Sequence, residues 1–237
     1  MLLFYSCTWL LFLQPAQHPA PQKAEGLAVY SYKNYGPQAP IETYLHFTEQ
    51  GAWYSRHHKK EELKTAEGYE FYYYDKAYDW YHTRDSIWFF FRSEEAYPIP
   101  YFGRWATQPP IAWQITDETQ TIAGFRARKA IGKSLYQGRP LNTLPEYSDV
   151  VAWFTTEVPL SYGPDGYYGL PGLIVQLEYT GFERIYKTVL KTIEYKTVSP
   201  WQRPSTADKA EVTMDEAYNP WKLGKKWFQK KKKEMNL

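Results

Sequence analysis

"GPDGYYGLPGLI", residues 163–174, sets glycine at 163, 166, 169 and 172 and decides how the rest of the chain is read. A collagen triple helix needs many consecutive Gly-X-Y triplets before three chains order together. Four triplets beside good strand sequence do not supply that run, so the glycines act separately. Gly163-Pro164 and Asp165-Gly166 are turn dipeptides. Gly169 and Gly172 bracket Leu170-Pro171, where proline fixes φ and removes an N–H just ahead of a strand. The stretch is an irregular approach into an apolar strand over residues 173–177.

Outward from that strand, period two dominates and period 3.6 is scarce. "IETYLHFTE" puts Ile41, Thr43, Leu45 and Phe47 on one face, and "GLAVYSYKN" alternates Leu27, Val29 and Tyr32 against its polar neighbours. "AWYSRHH" follows Gln50-Gly51, read as a tight turn. "AWQITDETQTIAGFRARKA" reads as two strands joined around Asp117-Glu118, and "RIYKTVLKTIEYKTV" as one long alternating strand. Strands of this kind make antiparallel sheets with one wet face. The expected fold is mainly β with minor α, built on a large antiparallel sheet. Helices are expected near residues 59–66 and 207–218, with Asp208 as a cap, and a proline-rich loop over 96–110.

Aromatic residues make up 19% of the 237 positions, among them 23 Tyr, a composition suited to pleated, half-buried surfaces. Residues 222–237 hold seven lysines and one glutamate, so the formal charge of +2 hides a mildly acidic body with a basic tail. Residues 1–20 read as an export signal: 2–13 are an apolar run of signal length, ended by Pro15. The expected divisions are therefore 1–20 as signal peptide, 24–200 as the β domain and 201–237 as a peripheral arm with a solvated tail. An exported, periplasmic or outer-membrane-associated location follows.

Reactive constellations are scarce in the sequence. Cys7 is the one cysteine and lies in the leader, which excludes an internal disulfide, and no G-x-S-x-G elbow occurs. "ARKAIGKS", residues 127–134, resembles a phosphate loop with Ala127 for its first glycine, but the residues after it cannot hold the helix that motif needs. His46, His57 and His58 with a carboxylate could suit zinc in a metal-dependent enzyme, although His57 and His58 point to opposite faces of a regular strand. No cofactor is expected, and the leading expectation is a non-catalytic protein. A purely structural envelope protein is the other alternative.

Four linked pieces then occur in order between Ile111 and Leu177: Trp113, "IAGFRARKA" (122–130), "AWFTTEVP" (152–159), and Gly163-Pro164 ahead of "GLPGLI" (169–174). In order and spacing they resemble the GLPGLI family of exported Bacteroidetes proteins. The resemblance marks Trp113, Gly124, Lys129, Ala130, Trp153, Pro159, Gly163, Pro164, Gly169, Leu170, Pro171, Gly172, Leu173 and Ile174 as motif residues, structural or binding. Ala127 stands where the family usually has Cys, so any role of that thiol is lost here. The resemblance implies a curved sheet similar to the half-barrel of periplasmic lipoprotein carriers, with an apolar hollow. The expected partners are an apolar or peptide-like ligand or an envelope protein, not nucleic acid. No membrane-spanning segment is expected, only weak contact of the Lys-rich tail with a membrane surface.

Overall fold

A computed structural model describes residues 25–34, 40–56, 61–64, 70–73, 78–83, 85–91, 100–106, 111–133, 149–181, 184–199, 202–218 and 223–235. The leader, His57 and His58 lie outside them. The strands in chain order are β1 (Gly26–Asn34), β2 (Ile41–Thr48), β3 (Gly51–Arg56), β4 (Glu61–Lys64), β5 (Glu70–Tyr73), β6 (Tyr78–Thr83) and β7 (Ser86–Phe91). There follow β8 (Tyr101–Ala106), β9 (Gln114–Ile122), β10 (Phe125–Lys133), β11 (Asp149–Thr155), β12 (Leu173–Gly181), β13 (Arg184–Tyr195) and β14 (Ala210–Glu211). Two short helices, α1 (Met214–Tyr218) and α2 (Lys225–Glu234), end the described chain.

Twelve strands form one open sheet in the order β14-β8-β7-β6-β3-β2-β1-β13-β12-β11-β10-β9, and β4 with β5 makes a separate hairpin. All neighbours in the large sheet are antiparallel except β14 against β8, which is parallel. The sheet is thus mixed at one edge rather than wholly antiparallel, and it is not closed into a barrel. It has two wings. The N-terminal wing runs outward from β2 to β8, the C-terminal wing from β13 to β9, and β1 joins them by pairing with both β2 and β13.

While the edge strand β9 is largely exposed, one face of this sheet is buried from β8 to β10. Ala28, Tyr30 and Tyr32 of β1 share it with Thr43, Leu45 and Phe47 of β2, Tyr54 of β3, Trp80 of β6, and Phe89 and Phe91 of β7. The parity in β2 is the one its sequence predicts. In β1 Leu27 and Val29 are only half-buried while Ala28 and Tyr30 go inside, together with Tyr32, the one residue of the expected set that is buried. A tyrosine buries most of its ring area and needs only one partner for its hydroxyl, so it competes well with Leu and Val for core positions.

Other local readings change as well. Residues 61–64 are strand β4, not helix: Leu63 is the one apolar side chain in that run, too few to form a helical stripe. The 96–110 region contains β8, since its prolines flank the strand instead of interrupting it. Asp117-Glu118 is not a turn. It lies in a register irregularity within β9, and the turn falls at Ala123-Gly124, both at positive φ, as a two-residue hairpin requires. Gly51 begins β3, so the β2–β3 turn is Glu49-Gln50. Thr213, not Asp208, caps α1: its hydroxyl accepts from the Glu216 N–H at 3.3 Å, and the Glu216 carboxylate accepts from the Thr213 N–H at 2.9 Å. Residues 223–235 are not a solvated coil, because Leu223 and Phe228 are buried.

Candidate functional site

Residues 156–172 leave β11 and return to β12 as an elbow laid on the buried face. Tyr162 and Tyr168 form an isolated antiparallel bridge that closes a small loop around the 3-10 turn Pro164–Gly166. The Leu173 N–H donates to the Val158 carbonyl at 3.0 Å, and the Ile174 N–H to the Tyr162 carbonyl at 3.0 Å. Gly172 is where the elbow enters the sheet. A Cβ there would lie 2.0 Å from the Thr155 carbonyl oxygen, so no other residue fits.

The elbow grips both wings. Asp165 accepts from the Tyr179 hydroxyl of β12 at 3.1 Å and faces the Arg56 guanidinium of β3 at 3.7 Å, with both charged side chains buried. Gly166, at φ +76°, lies so close to the Trp80 indole of β6 that a Cβ would come within 2.6 Å of it. Five strand spacings separate β6 from β12, about 24 Å across a flat sheet. Two adjacent residues can touch both only if the sheet curves around them. The sheet is therefore curved, and the chain's own elbow lies in the curve.

Around Asp165 the ionisable groups are locked. Tyr179 and Tyr54 are held protonated far above the usual phenol range, first by burial and then by the Asp165 carboxylate. They can donate hydrogen bonds and cannot serve as bases near neutral pH. Arg56 also lies 4.4 Å over the Tyr32 ring. Tyr32, Tyr186, Tyr179 and Tyr167 continue outward as a row of ring contacts at 6.3, 5.2 and 5.5 Å. Asp165 itself takes the left-handed conformation, at φ 52° and ψ 30°. Strain of that kind persists only where surrounding contacts over-determine it; the pair with Arg56 and the bond from Tyr179 do so. The arrangement ties two wings together.

The motif residues divide into three sets. Gly163, Pro164, Leu170, Gly172, Leu173 and Ile174 are buried in the elbow or its entry, and the Tyr30 hydroxyl donates to the Ile174 carbonyl at 2.8 Å. Trp113 fastens the elbow from outside, its indole N–H donating to the Tyr168 carbonyl at 2.9 Å, and Ala130 belongs to the same buried cluster as Tyr167 and Leu170. The remainder lie outside the buried part of the elbow. Gly124 forms the β9–β10 turn, Lys129 pairs with Glu118, Trp153 is half-buried opposite Lys129, and Gly169, Pro171 and Pro159 are exposed. Ala127, in place of the usual Cys, is fully buried in the core.

Sequence reasoning missed Arg56, Asp165, Tyr179 and Trp80. Nothing in "PDG" separates a turn aspartate from a buried ion-pair partner. It also missed His82. That ring is fully buried against Tyr162 and Tyr168, with neither nitrogen hydrogen-bonded among the described residues, and burial lowers its pKa to about 3. His46 stacks on Trp53 at 4.2 Å with rings nearly parallel. Among the described residues no three His, Cys, Asp or Glu side chains come together as metal ligands, and His57 and His58 are not among those residues.

The fold and site define an open, curved β-sheet protein closed over its own elbow. A family model described as "Protein of unknown function (Porph_ging)" matches residues 137–176, which take in β11, the elbow and the start of β12. It fits a Bacteroidetes family, though not under the GLPGLI name. No curated protein matches. Among solved structures, "Structure of PNGF-II in C2 space group" is similar at a TM-score of 0.43 and 10% identity, over 84% of this chain and 33% of that one. The chain thus spans about a third of that protein's length. No described helix is long and apolar enough to cross a membrane.

Proposed function

We propose that this is an exported, non-catalytic protein of the periplasm or outer envelope that binds a partner protein or a peptide-like segment. The occupancy of the curve carries this reading. Tyr167, Tyr168 and Leu170 fill the concave face that would receive a small apolar ligand, and its charged groups are spent on the Arg56–Asp165–Tyr179 tie. Recognition then falls to surfaces outside the curve, where a second chain can lie. Weak contact of the C-terminal lysines with a membrane surface belongs to the same reading.

Native mass spectrometry of the protein purified from its own cell envelope tests this. A co-purifying polypeptide is the expected outcome. A co-purifying lipid or small apolar molecule would show that the elbow yields its seat, and an empty protein would remove the binding reading altogether.

A further inference from the structure

The lysines of α2 are arranged, not merely abundant. Trp227, Phe228, Lys231 and Met235 form the side of the helix that is buried or half-buried against the body. Phe228 is buried, Trp227 donates its indole N–H to Glu216 at 3.1 Å, and its ring meets Tyr101 of β8 edge-on at 6.4 Å. The helix is therefore fixed in place. Its opposite side carries Lys226, Lys230 and Lys233 at i, i+4 and i+7, flanked by a second exposed row of Lys225, Gln229 and Lys232.

Elsewhere the protein disperses its lysines against carboxylates: Lys129 with Glu118, Lys133 with Asp149, Lys187 with Glu178, Lys191 with Glu42. On α2, Lys225, Lys226, Lys232 and Lys233 make no ion pair among the described residues, and Glu234 is engaged by Lys230 and Lys231 at 3.7 and 3.0 Å. This segregation works against the helix. Like charges at i, i+4 repel, and Lys225 and Lys226 lie at the end where the helix dipole is positive. A docked helix with a face of this kind is stabilised by a counter-charge from outside.

We infer that this face docks the protein electrostatically on an anionic lipid surface, which deepens the membrane-contact part of the proposed function. Lysine is a compact, strongly hydrated point charge and suits a diffuse layer of headgroups without fixed geometry. Stacking on or reading the bases of nucleic acid would call for rings or planar donors on the same face, and the indole of α2, Trp227, is turned toward the body and bonded to Glu216. The apolar side of α2 is engaged with the protein, so docking leaves the acyl region untouched and depends wholly on charge.

Flotation of the purified full chain with vesicles tests this without any partner present, so its outcome is independent of the envelope purification. Binding is expected to phosphatidylcholine vesicles containing 30% phosphatidylglycerol (~30%, an ordinary anionic fraction) and not to pure phosphatidylcholine. It should be lost on raising salt about tenfold from a dilute buffer. Replacing Lys226→Gln, Lys230→Gln and Lys233→Gln together should weaken binding about 100-fold, near fivefold for each charge, without moving the melting temperature. The matching Lys→Arg triple variant should bind as the parent does. Equal binding to neutral vesicles, undiminished binding by the Gln variant, or tighter binding to duplex DNA than to the anionic vesicles would each overturn the assignment.

Discussion

On the N-terminal wing the buried face is filled by the strands' own rings: Phe47, Tyr54, Trp80, Phe89, Phe91 and Tyr101 are all buried, and Phe91 stacks on Tyr101 at 4.5 Å. On the C-terminal wing β10 and β11 contribute small residues, Ala130, Gly132, Val150 and Ala152, beside the larger Phe154, Leu177 and Tyr179, and further volume arrives from connecting segments as Ile111, Trp113, Tyr167 and Leu170. A Cβ on Gly132 would sit 2.3 Å from Ile111, which shows how closely the connecting segment lies on the strand. One wing packs by its strands' own rings and the other by strand side chains together with a delivered loop. The loop joins the wings, because the same elbow that shares a buried cluster with Ala130 also reaches Arg56 and Trp80.

The sharpest way to break that contrast is at the elbow's entry. Gly172→Val drives a side chain into the Thr155 carbonyl, and about 4 kcal/mol or more should be lost; soluble yield and melting temperature should fall together. Normal yield with a normal melting temperature would mean that the elbow does not hold the wings. Next comes the tie itself. Arg56→Ala leaves Asp165 buried without its counter-charge and should cost about 3–5 kcal/mol, whereas Arg56→Met with Asp165→Asn should recover much of the loss, since Asn tolerates the left-handed backbone at position 165. Urea titrations of the single and double variants give the coupling. Simple additivity would say that the wings are held by packing alone.

A smaller effect concerns acid. The folded-state pKa of His82 lies near 3 because burial disfavours the charged ring, while the unfolded chain titrates near 6.5. Above that value both states are neutral and nothing is gained or lost. As pH falls below it the unfolded chain takes up the proton first, so stability declines until the folded ring also protonates near pH 3. Between pH 6.5 and 5 the loss should reach about 2 kcal/mol, at ~1.4 kcal/mol per unit. In His82→Phe the slope over that window should flatten. The smallest effect lies far from the elbow: Ala123, at φ 49°, occupies a turn position that Asn favours, so Ala123→Asn should raise stability by about 0.5–1 kcal/mol, read as a shift in the thermal midpoint.

The wings also differ in how well their sequence announces them. β2 was legible because Thr43, Leu45 and Phe47 alternate with polar residues on a one-sided strand, and β12 because an apolar run follows a glycine-proline approach. β1 misled because tyrosines stand on the parity that turned out buried, and a phenol is scored as half polar. β9 misled because Asp117-Glu118 marks a register irregularity that carries the same polar signature as a turn. Lys129 and Ala130 were legible only through resemblance, and only Ala130 proved part of the elbow's buried cluster. Arg56 and Asp165 were not legible at all. They stand over a hundred residues apart, and no local pattern encodes which turn carboxylate meets which strand guanidinium.

The pairing of β1 with β13 places Gly26 opposite Tyr195, and this has a consequence for the order of events at birth. Each wing is a meander that can zip hairpin by hairpin as it emerges, but the seam between them waits for nearly the whole chain. At ~5–20 residues per second of synthesis, the rings of β6 and β7 are exposed for on the order of ten seconds before their cover exists. Until then they present a sticky surface that a holding chaperone can shield.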